Sequence, residues 1–550
     1  MSDVTIVEIE LYRPGAGAGA RYARGIRPLG LPPAGAPLEA TATLRASDTG
    51  YRTRNTDPGG VAAYPPTLDS ALEIQEALNL EPGNSAVAWS AGSVQLLNPT
   101  GEYDQTEGFF NADRRVVRIR RGRRAQDAAR GIEVDPAYSG LATLFTGLGQ
   151  PWVAGENLLT LPIRDASYWT EQPLLTGLYA GTGGYQGTVD LEGQPIPKLR
   201  GGRVGNPVLN VKPVLVDRSI GLYQVSDGPG LIAAVYDAGD AWTDRAADTT
   251  DPYGSVPPAG HWRSCSLPTG LYVQTGTPLQ EGRELTCDAV GDFPVAGPMT
   301  YAANLVRYLL TEDAGLPLSL LDVPSFTAAI AEAPFYTGDF WTDPVQVVEA
   351  IAPILASIGA QLVPTPEGKL ALVLLRAVPA DAVPAARLTA GQMLAAPRPV
   401  GLPTSLAPSP WRWRIGHSRN NTVQASNTLD PDVTDARRAF LAQTDQVALA
   451  WQDTALLQAY RVPNDPAVVS TRLLTKADAT EVGQAFGELW GKDRRLFEIP
   501  LDIDDALSLP LGTIVHVDYP IRSLRNGTLC RIVRRNISLK SRTITLTVLV

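Results

Sequence analysis

The sequence predicts a mainly β, multidomain protein with α+β parts, and three observations carry that prediction. Glycine (51) and proline (46) together make up about 18% of the 550 residues, against about 12% on average, an excess that favours turns and short strands over long helices. Short runs with alternating apolar residues, bounded by turn signals, recur from residue 4 to residue 550. Helical spacing is confined to a few segments, which excludes an all-helical fold. At about 150 residues per domain, the length gives three or four units with real cores.

In chain order, residues 4–11 read as a strand with Val4, Ile6 and Glu8 on one side. Residues 14–37 are rich in glycine, alanine and proline and read as a flexible arm. Residues 40–45 form a second strand. From 51 to 122, strands at 91–98 and 115–120 lie among turns marked by Asp57-Pro58-Gly59-Gly60, Pro65-Pro66 and Asn98-Pro99-Thr100-Gly101. The β pattern continues to 292, with strands at 208–216, 221–225, 231–236, 270–274 and 284–289.

A helix is predicted at 301–310, where Ala302, Leu305, Val306, Leu309 and Leu310 share a face. A second starts at Asp343-Pro344, a cap plus first-turn proline. It runs through Val347, Val348, Ile351, Ile354, Leu355 and Ile358 to Gly359, and Pro353 inside it predicts a kink or break. A hairpin follows, with strands 360–363 and 369–375 around Pro364-Thr365-Pro366-Glu367-Gly368. A third helix spans 476–490, with Val482, Ala485, Phe486, Leu489 and Trp490 on one face. Phe497, Ile499, Leu501 and Ile503 then alternate, and strands follow at 514–517, 529–533 and 543–550. The last is expected inside a sheet or barrel, because a bare edge invites aggregation. The resulting units are 1–50 (N-terminal strands and arm), 51–200 (a β-rich module), 201–299 (a second β module), 300–400 (an α+β module) and 401–550 (a C-terminal β-rich module with one helix, closing a barrel).

The formal charge is −10, and an acidic surface repels phosphate, so sequence-independent nucleic-acid binding by the whole chain is excluded. Cys265, Cys287 and Cys530 are an odd, widely spaced set. They read as buried thiols in a reducing compartment rather than as a disulfide framework or metal site. The first residues lack the pattern of a secretory signal, and no apolar run is long enough to span a bilayer, so no stable membrane insertion is expected.

The chemical motifs fail one after another. No phosphate loop, zinc-protease helix or nucleophile elbow occurs. Gly181-Thr182-Gly183-Gly184-Tyr185-Gln186-Gly187 has the wrong spacing for a dinucleotide loop and reads as a mobile turn. His261, His417 and His516 are far apart and read as satisfied polar residues. Asp237, Asp240, Asp244, Asp248 and Asp251, with Arg245 among them, lack calcium-loop spacing and read as a solvated loop. Asp502, Asp504 and Asp505 read the same way. Trp411 and Trp413 alternate with Arg412 and Arg414 as a strand with both indoles inward. Arg114, Arg115, Arg118, Arg120, Arg121, Arg123, Arg124 and Arg130 form the one strong charge signal. Such density on an acidic chain points to an anionic partner, with an inter-subunit salt-bridge surface preferred to DNA contact. No catalytic, cofactor-binding or metal-binding residue is assigned.

Three groups of segments, taken in order, resemble the tail-tip (baseplate) hub proteins of long-tailed bacteriophages. The first comprises Tyr51-Arg52-Thr53-Arg54, Tyr64-Pro65-Pro66, Gly92-Ser93-Val94-Gln95-Leu96-Leu97-Asn98 and Gly101-Glu102-Tyr103-Asp104. The second runs from Gly201-Gly202-Arg203-Val204-Gly205-Asn206 through Pro213-Val214-Leu215-Val216-Asp217 and Leu222-Tyr223-Gln224-Val225 to Leu285-Thr286-Cys287-Asp288. The third comprises Leu511-Gly512-Thr513-Ile514-Val515, Asn526-Gly527, Ile532-Val533 and Thr543-Ile544-Thr545-Leu546-Thr547. The order of the pieces carries the resemblance, which covers most of the chain outside the arm.

The resemblance implies a structural virion protein and not an enzyme, with tube-like β-barrel modules plus a small helix-and-hairpin module. It implies a homotrimer presenting a pseudo-six-fold face to the hexameric tail tube. Expected neighbours are a distal tail or tube protein, a tape-measure protein and tail fibre or spike proteins, with DNA passing through the lumen during ejection. The location implied is the virion tail tip, assembled in the host cytoplasm. Some such proteins hold an iron–sulfur cluster through four cysteines; this chain has three, and no cofactor is expected. Two alternatives remain: a tail-associated enzyme degrading cell-wall glycans, and a receptor- or carbohydrate-binding tail protein.

Overall fold

The computed structural model describes residues 2–13, 41–70, 73–86, 88–127, 129, 131–277, 279–280, 282–291, 301–525 and 527–550. The predicted arm at 14–37 and Arg130 lie outside them. The protein is mainly β and multidomain, with 38% strand, 19% helix and a nearly closed, barrel-like sheet.

The first unit is an antiparallel sheet. Its opening strands are β1 (Asp3–Tyr12), β2 (Thr41–Ser47) and β3 (Leu68–Ser70). Next in the chain, β4 (Glu73–Ala77) and β5 (Ala88–Ala91) leave to join another sheet. The chain then returns with β6 (Ser93–Leu97), β7 (Val116–Arg123), β8 (Ala142–Gly149), β9 (Val153–Ala154) and β10 (Leu158–Arg164). Strand order is β2-β1-β7-β8-β10-β6-β3, with β9 beside β10. Alternation sorts the side chains of β1: Val7, Ile9 and Leu11 enter the main core, while Val4 and Ile6 meet Tyr51, Tyr64 and Leu141 in a satellite core. Glu8 shares that second face, where the hydroxyls of Tyr64 (2.6 Å) and Tyr138 (2.8 Å) donate to its carboxylate. Both phenols are thereby held protonated: burial, then the bond to Glu8, pushes Tyr138 up to about 12.

The second unit pairs two four-stranded antiparallel sheets. It contains β11 (Lys198–Gly201), β12 (Val208–Val211), β13 (Val214–Asp217), β14 (Leu222–Ser226), β15 (Leu231–Asp237), β16 (Asp240–Ala241), β17 (Trp262–Leu267), β18 (Gly270–Thr275) and β19 (Leu285–Val290). The sheets run β12-β19-β15-β16 and β13-β14-β18-β17. Val211, Val225, Ile232, Leu271, Val273 and Cys287 fill the core between them. The predicted single strand 208–216 is in fact two strands, one in each sheet. Pro213 has no N–H for a ladder, and Asn210 adopts a φ of 53°, so the chain turns out of the first sheet there.

The third unit is the helix-and-hairpin module: α1 (Ala302–Tyr308), α2 (Val323–Glu332), β20 (Gly338–Trp341), α3 (Val347–Ser357), β21 (Ala360–Pro364) and β22 (Leu370–Leu374). Helix α1 continues as a π-helical turn over Leu309–Asp313. At α3 the expected cap is not the one used, and the helix runs unbroken through Pro353. Its cap is Gln346, in a reciprocal capping box with Glu349, rather than Asp343-Pro344. The segment before it instead pairs with the chain near Pro173, through Leu174 N–H to Val345 O and Val347 N–H to Gln172 O. Pro353 does not break the helix, because Ala350, Ile351, Ile354 and Leu355 are buried on its inner face. Tertiary packing there outweighs one lost backbone bond.

The main elements of the rest of the chain are β23 (Ala386–Thr389), β24 (Arg398–Val400), β25 (Arg412–His417), α4 (Asp435–Leu441), β26 (Gln446–Gln452), α5 (Lys476–Trp490), β27 (Leu496–Asp502), α6 (Ile503–Ala506), β28 (Ile514–Asp518), β29 (Thr528–Ser538) and β30 (Thr543–Leu549). The C-terminal sheet runs β23-β28-β29-β30-β27-β24, and β4, itself paired with β5, adds to the far half of β29. The last strand therefore lies inside a sheet, as the edge argument requires. Helix α5 spans the predicted residues, capped by Thr475. It packs on the β25–β26 pair through Gly483 and Gly487, where an added Cβ would sit 2.1 Å from Ala450 Cβ and 2.3 Å from the Trp451 ring.

The second and third units are joined by the β11–β20 ladder, with Arg200 opposite Asp339. Beside it lies a cluster of four charges, three of them buried. Lys198 Nζ is 2.5 Å and Arg200 Nη2 2.8 Å from Asp313 Oδ1, and Arg200 Nη1 is 2.8 Å from Asp227 Oδ1. Lys198, Arg200 and Asp313 are each 6% exposed. Burial alone would push Arg200 down, but Asp313 and Asp227 more than reverse it and hold the guanidinium charged. Two further buried pairs tie distant strands, Arg535–Glu76 at 3.0 Å between β29 and β4, and Arg121–Asp3 at 2.5 Å between β7 and β1.

Two measurements test this packing. Gly487→Ala should lower unfolding stability by about 1–3 kcal/mol in urea titration, whereas Glu488→Ala on the exposed face should change it by less than about 0.5 kcal/mol. Asp313→Ala should cost about 3–5 kcal/mol, because it leaves Lys198 and Arg200 short of a buried counter-charge.

Candidate functional site

The arginine run is divided by the pleat of β7. Arg121 points inward, 5% exposed, and its guanidinium meets Asp3 and, at 3.6 Å, Asp504. Arg115 reaches Glu10 at 3.3 Å and lies over the Tyr12 ring. Arg120 lies over Tyr138, and Arg124 reaches Asp135 at 2.7 Å. Arg114 is exposed, over Tyr168. Arg118 and Arg123 are the members that face solvent without a salt bridge among the described residues. Four of the seven described arginines, Arg115, Arg120, Arg121 and Arg124, are thus engaged by acidic or aromatic groups of the chain's own fold, while Arg114, Arg118 and Arg123 remain exposed.

The other sequence candidates do not converge. In the glycine loop, the Gly181, Gly183 and Gly187 amides donate to Gln186 O, Gly187 O and Gly184 O, so the loop consumes the donors that a phosphate would need. His261 precedes β17, His417 ends β25 and His516 lies in β28. Cys265, Cys287 and Cys530 are buried in three separate apolar cores. No group of three or more metal-ligating side chains occurs among the described residues. Asp237 is paired with Arg283 at 2.7 Å, Asp248 with Arg245 at 2.8 Å, and Asp502 caps α6. Trp413 is in the core, edge-on to Phe486 at 5.7 Å. Trp411 precedes β25, is only half-buried and carries Arg412 over its ring at 4.5 Å, so only one indole points inward. Arg412 and Arg414 both bond Asp465.

The carboxyls with raised proton affinity also have structural duties. Asp288 is pushed up by burial while accepting from Asn210 N–H and the Tyr236 hydroxyl. Asp478 is likewise pushed up by burial and accepts from Thr475. Asp165 caps the helical turn Ala166–Thr170 through Ser167, and burial raises it from 3.8 to about 6, partly offset by the Ser167 bonds. Its second oxygen, Oδ2, is buried without a hydrogen bond.

Two clefts stand out by size. The larger, about 1170 Å³, separates the second unit from the third, with Tyr223, Phe340 and Trp341 among its walls. The smaller, about 800 Å³, lies between the first unit, the β21–β22 turn and the C-terminal sheet, and is lined by Asp322, Glu367 and Asp504 together with Arg121, Lys369 and Arg535. Each cleft draws on segments far apart in the chain, so no local motif announces it. No helix among the described residues is long and apolar enough to cross a membrane.

No protein-family profile matches the sequence, and no curated protein matches it. Among solved structures, the chain is similar to the 43 kDa tail protein of prophage MuSo2 from Shewanella oneidensis, at 10% identity and a TM-score of 0.34, over 91% of this chain and 95% of that one. It is similar to the tail protein from Neisseria meningitidis MC58 at 10% identity and 0.34, over 90% and 94%. A chain of the native gene transfer agent virion gives 14% identity and 0.38, over 70% and 92%. At these scores each is a distant likeness in shape.

The Asp165 carboxyl gives a pH test. A carboxyl whose folded-state pKa is raised stabilises the fold fully below its unfolded value of 3.8, and that contribution is lost as pH rises through about 6. Asp165→Asn should remove this dependence, changing the difference in unfolding free energy between pH 3.5 and pH 7 by about 3 kcal/mol relative to the parent.

Proposed function

We propose that this chain is a structural protein of a long-tailed bacteriophage virion, a tail-tip hub that connects the hexameric tail tube to the distal tip or fibres. In this reading it forms part of the genome-ejection channel. It works as a homotrimer, with tube, tape-measure and fibre or spike proteins as neighbours. The ordered resemblance of its segments supports this, together with where those segments lie: they build β6, the β11–β15 and β19 framework, and β28–β30, rather than the wall of one catalytic cleft.

One observation carries the multi-copy reading. Strand β26 pairs with β25 on one side only. Its sequence, Gln446-Val447-Ala448-Leu449-Ala450-Trp451-Gln452, holds no charge, proline or glycine, and Val447 and Leu449 are 51% and 52% exposed. Natural edge strands are normally blunted by lysine, proline or a covering element, so an edge this apolar is an assembly edge. Continuing the sheet into another subunit satisfies both its backbone and its side chains. A glycan-cleaving enzyme calls for a carboxyl pair at a cleft with one member held protonated. The carboxyls whose proton affinity is raised here, Asp165, Asp288 and Asp478, are engaged by the fold instead.

Purified protein examined by mass measurement and negative-stain imaging should form three-fold rings, and Leu449→Lys should return it to a folded monomer. A parent protein that stays monomeric and clears peptidoglycan would refute the hub in favour of the enzyme.

A further inference from the structure

Strands β25 and β26 pair from His417 with Gln446, so a tight turn of about two residues would suffice to join them. The chain instead spends residues 418–445 on an excursion over the second unit. This strap carries α4 and a small core of its own, Leu429, Val433 and Leu441 with Phe440 against them. Its first residues lie along the open side of β12, which pairs with β19 alone among the described strands. Leu209 O of β12 accepts from Asn421 N–H at 3.2 Å and from Asn421 Nδ2 at 2.9 Å, beside a parallel bridge between Leu209 and Asn420. Without the strap, the uncharged run Val208-Leu209-Asn210-Val211 would be a bare edge of the kind that recruits other strands.

The strap is held by polar contacts, and some of its groups are left unmet. Asn210, Asn420 and Gln424 are each at most 2% exposed. Asn210 Nδ2 donates to Asn420 Oδ1 at 2.8 Å and to Thr422 O at 2.6 Å. The left-handed φ of 53° at Asn210 is a conformation of the kind that gathers at switch regions. At the rim, Asp430 bonds Arg283 at 2.7 Å, which Asp237 also holds, and Arg437 lies 3.9 Å over the Tyr236 ring. Arg437 Nε and Gln424 Oε1 are buried with no hydrogen-bond partner among the described residues. Such groups weaken docking relative to a fully satisfied contact, and polar contacts between units are those that open.

We propose that residues 418–445 are an autoinhibitory strap, which caps β12 in the free chain and leaves it on assembly, when β26 of a second copy pairs along the freed edge. β26 is here the assembly strand of the multi-copy reading, on which the strap's role rests, and β12 is the surface that it meets. The two edges suit each other, since both are uncharged and backbone bonds need no match of sequence. One edge meeting a different edge of the next copy is a heterologous contact, the kind that closes into a ring.

The test compares the full chain with a loosened form, Asp430→Ala with Arg437→Ala, which removes two rim anchors and leaves Asp237 on Arg283. Hydrogen exchange at the Asn421 and Asp430 amides, whose bonds cross to the second unit, should quicken at least about tenfold while β19 stays protected. Sedimentation should show the loosened form associating at a concentration at least about tenfold lower than the parent. Leu449→Lys and Leu209→Lys, each placed in the loosened form, should be monomeric alone and form a one-to-one pair when mixed. Unchanged exchange would make the strap a fixed part of the fold and overturn its role. So would faster exchange without more association, self-pairing of either lysine variant, or no pair on mixing. Three-fold rings of the parent in which the Asn421 amide stays protected would overturn the strap and leave the hub reading standing. A monomeric parent whose loosened form pairs would do the reverse.

Discussion

Three buried charges and a fourth that is partly exposed hold the middle of the molecule together. Lys198 and Arg200 on β11 are neutralised by Asp313 from the π-helical turn and Asp227 from the turn after β14. Removing such ions from water costs several kcal/mol each, and only close, well-directed contacts offset it. Each carboxylate comes from a different unit or turn, so the cluster is neutral in essentially one arrangement of the second unit against the third. The β11–β20 ladder lies beside it, and the larger cleft opens between the same two units. The cluster therefore helps to fix how the two units that flank that cleft sit against each other.

Much of the fold was legible because strands and helices leave short-range periodic traces. Helix α5 ends where Gly491 follows Trp490, and the alternation of Phe497, Ile499 and Leu501 marks β27 without ambiguity. The failures have a common cause, which is that distant contacts decide between local options. Asp343-Pro344 is a good cap in isolation, but the chain near Pro173 claims that segment for a β-bridge. Pro353 is a good helix breaker, but four apolar neighbours hold the helix against its core. At 208–216 an unbroken apolar run conceals a change of sheet.

The functional candidates show the same limit more sharply. A run of arginines signals charge, but whether each one meets a partner protein or its own fold depends on strands more than a hundred residues away, as Arg121 and Asp3 illustrate. The residues lining the larger cleft come from around positions 215, 280, 340, 420 and 472, and none is unusual in its own neighbourhood. By contrast, the exposed edge of β26 was readable in principle from seven uncharged residues in a row. What that pattern lacked was knowledge that only one neighbour strand exists. Inside, most of the ionised groups described here are matched, while the open edge of β26 is apolar.

The pairing of β4 with β29 has a consequence for how the molecule is made. Glu76 and Arg535 are 459 residues apart in the chain yet bond directly across the ladder. On a ribosome adding about 5–20 residues per second, β4 waits between about 20 and 90 s for its partner. Through that interval Ile74 and the Glu76 carboxylate, the buried residues of β4, lack their partner strand, and contacts of such long range close slowly even after release. Newly made chains thus pass through a long-lived, incompletely zipped stage that chaperones are suited to shield.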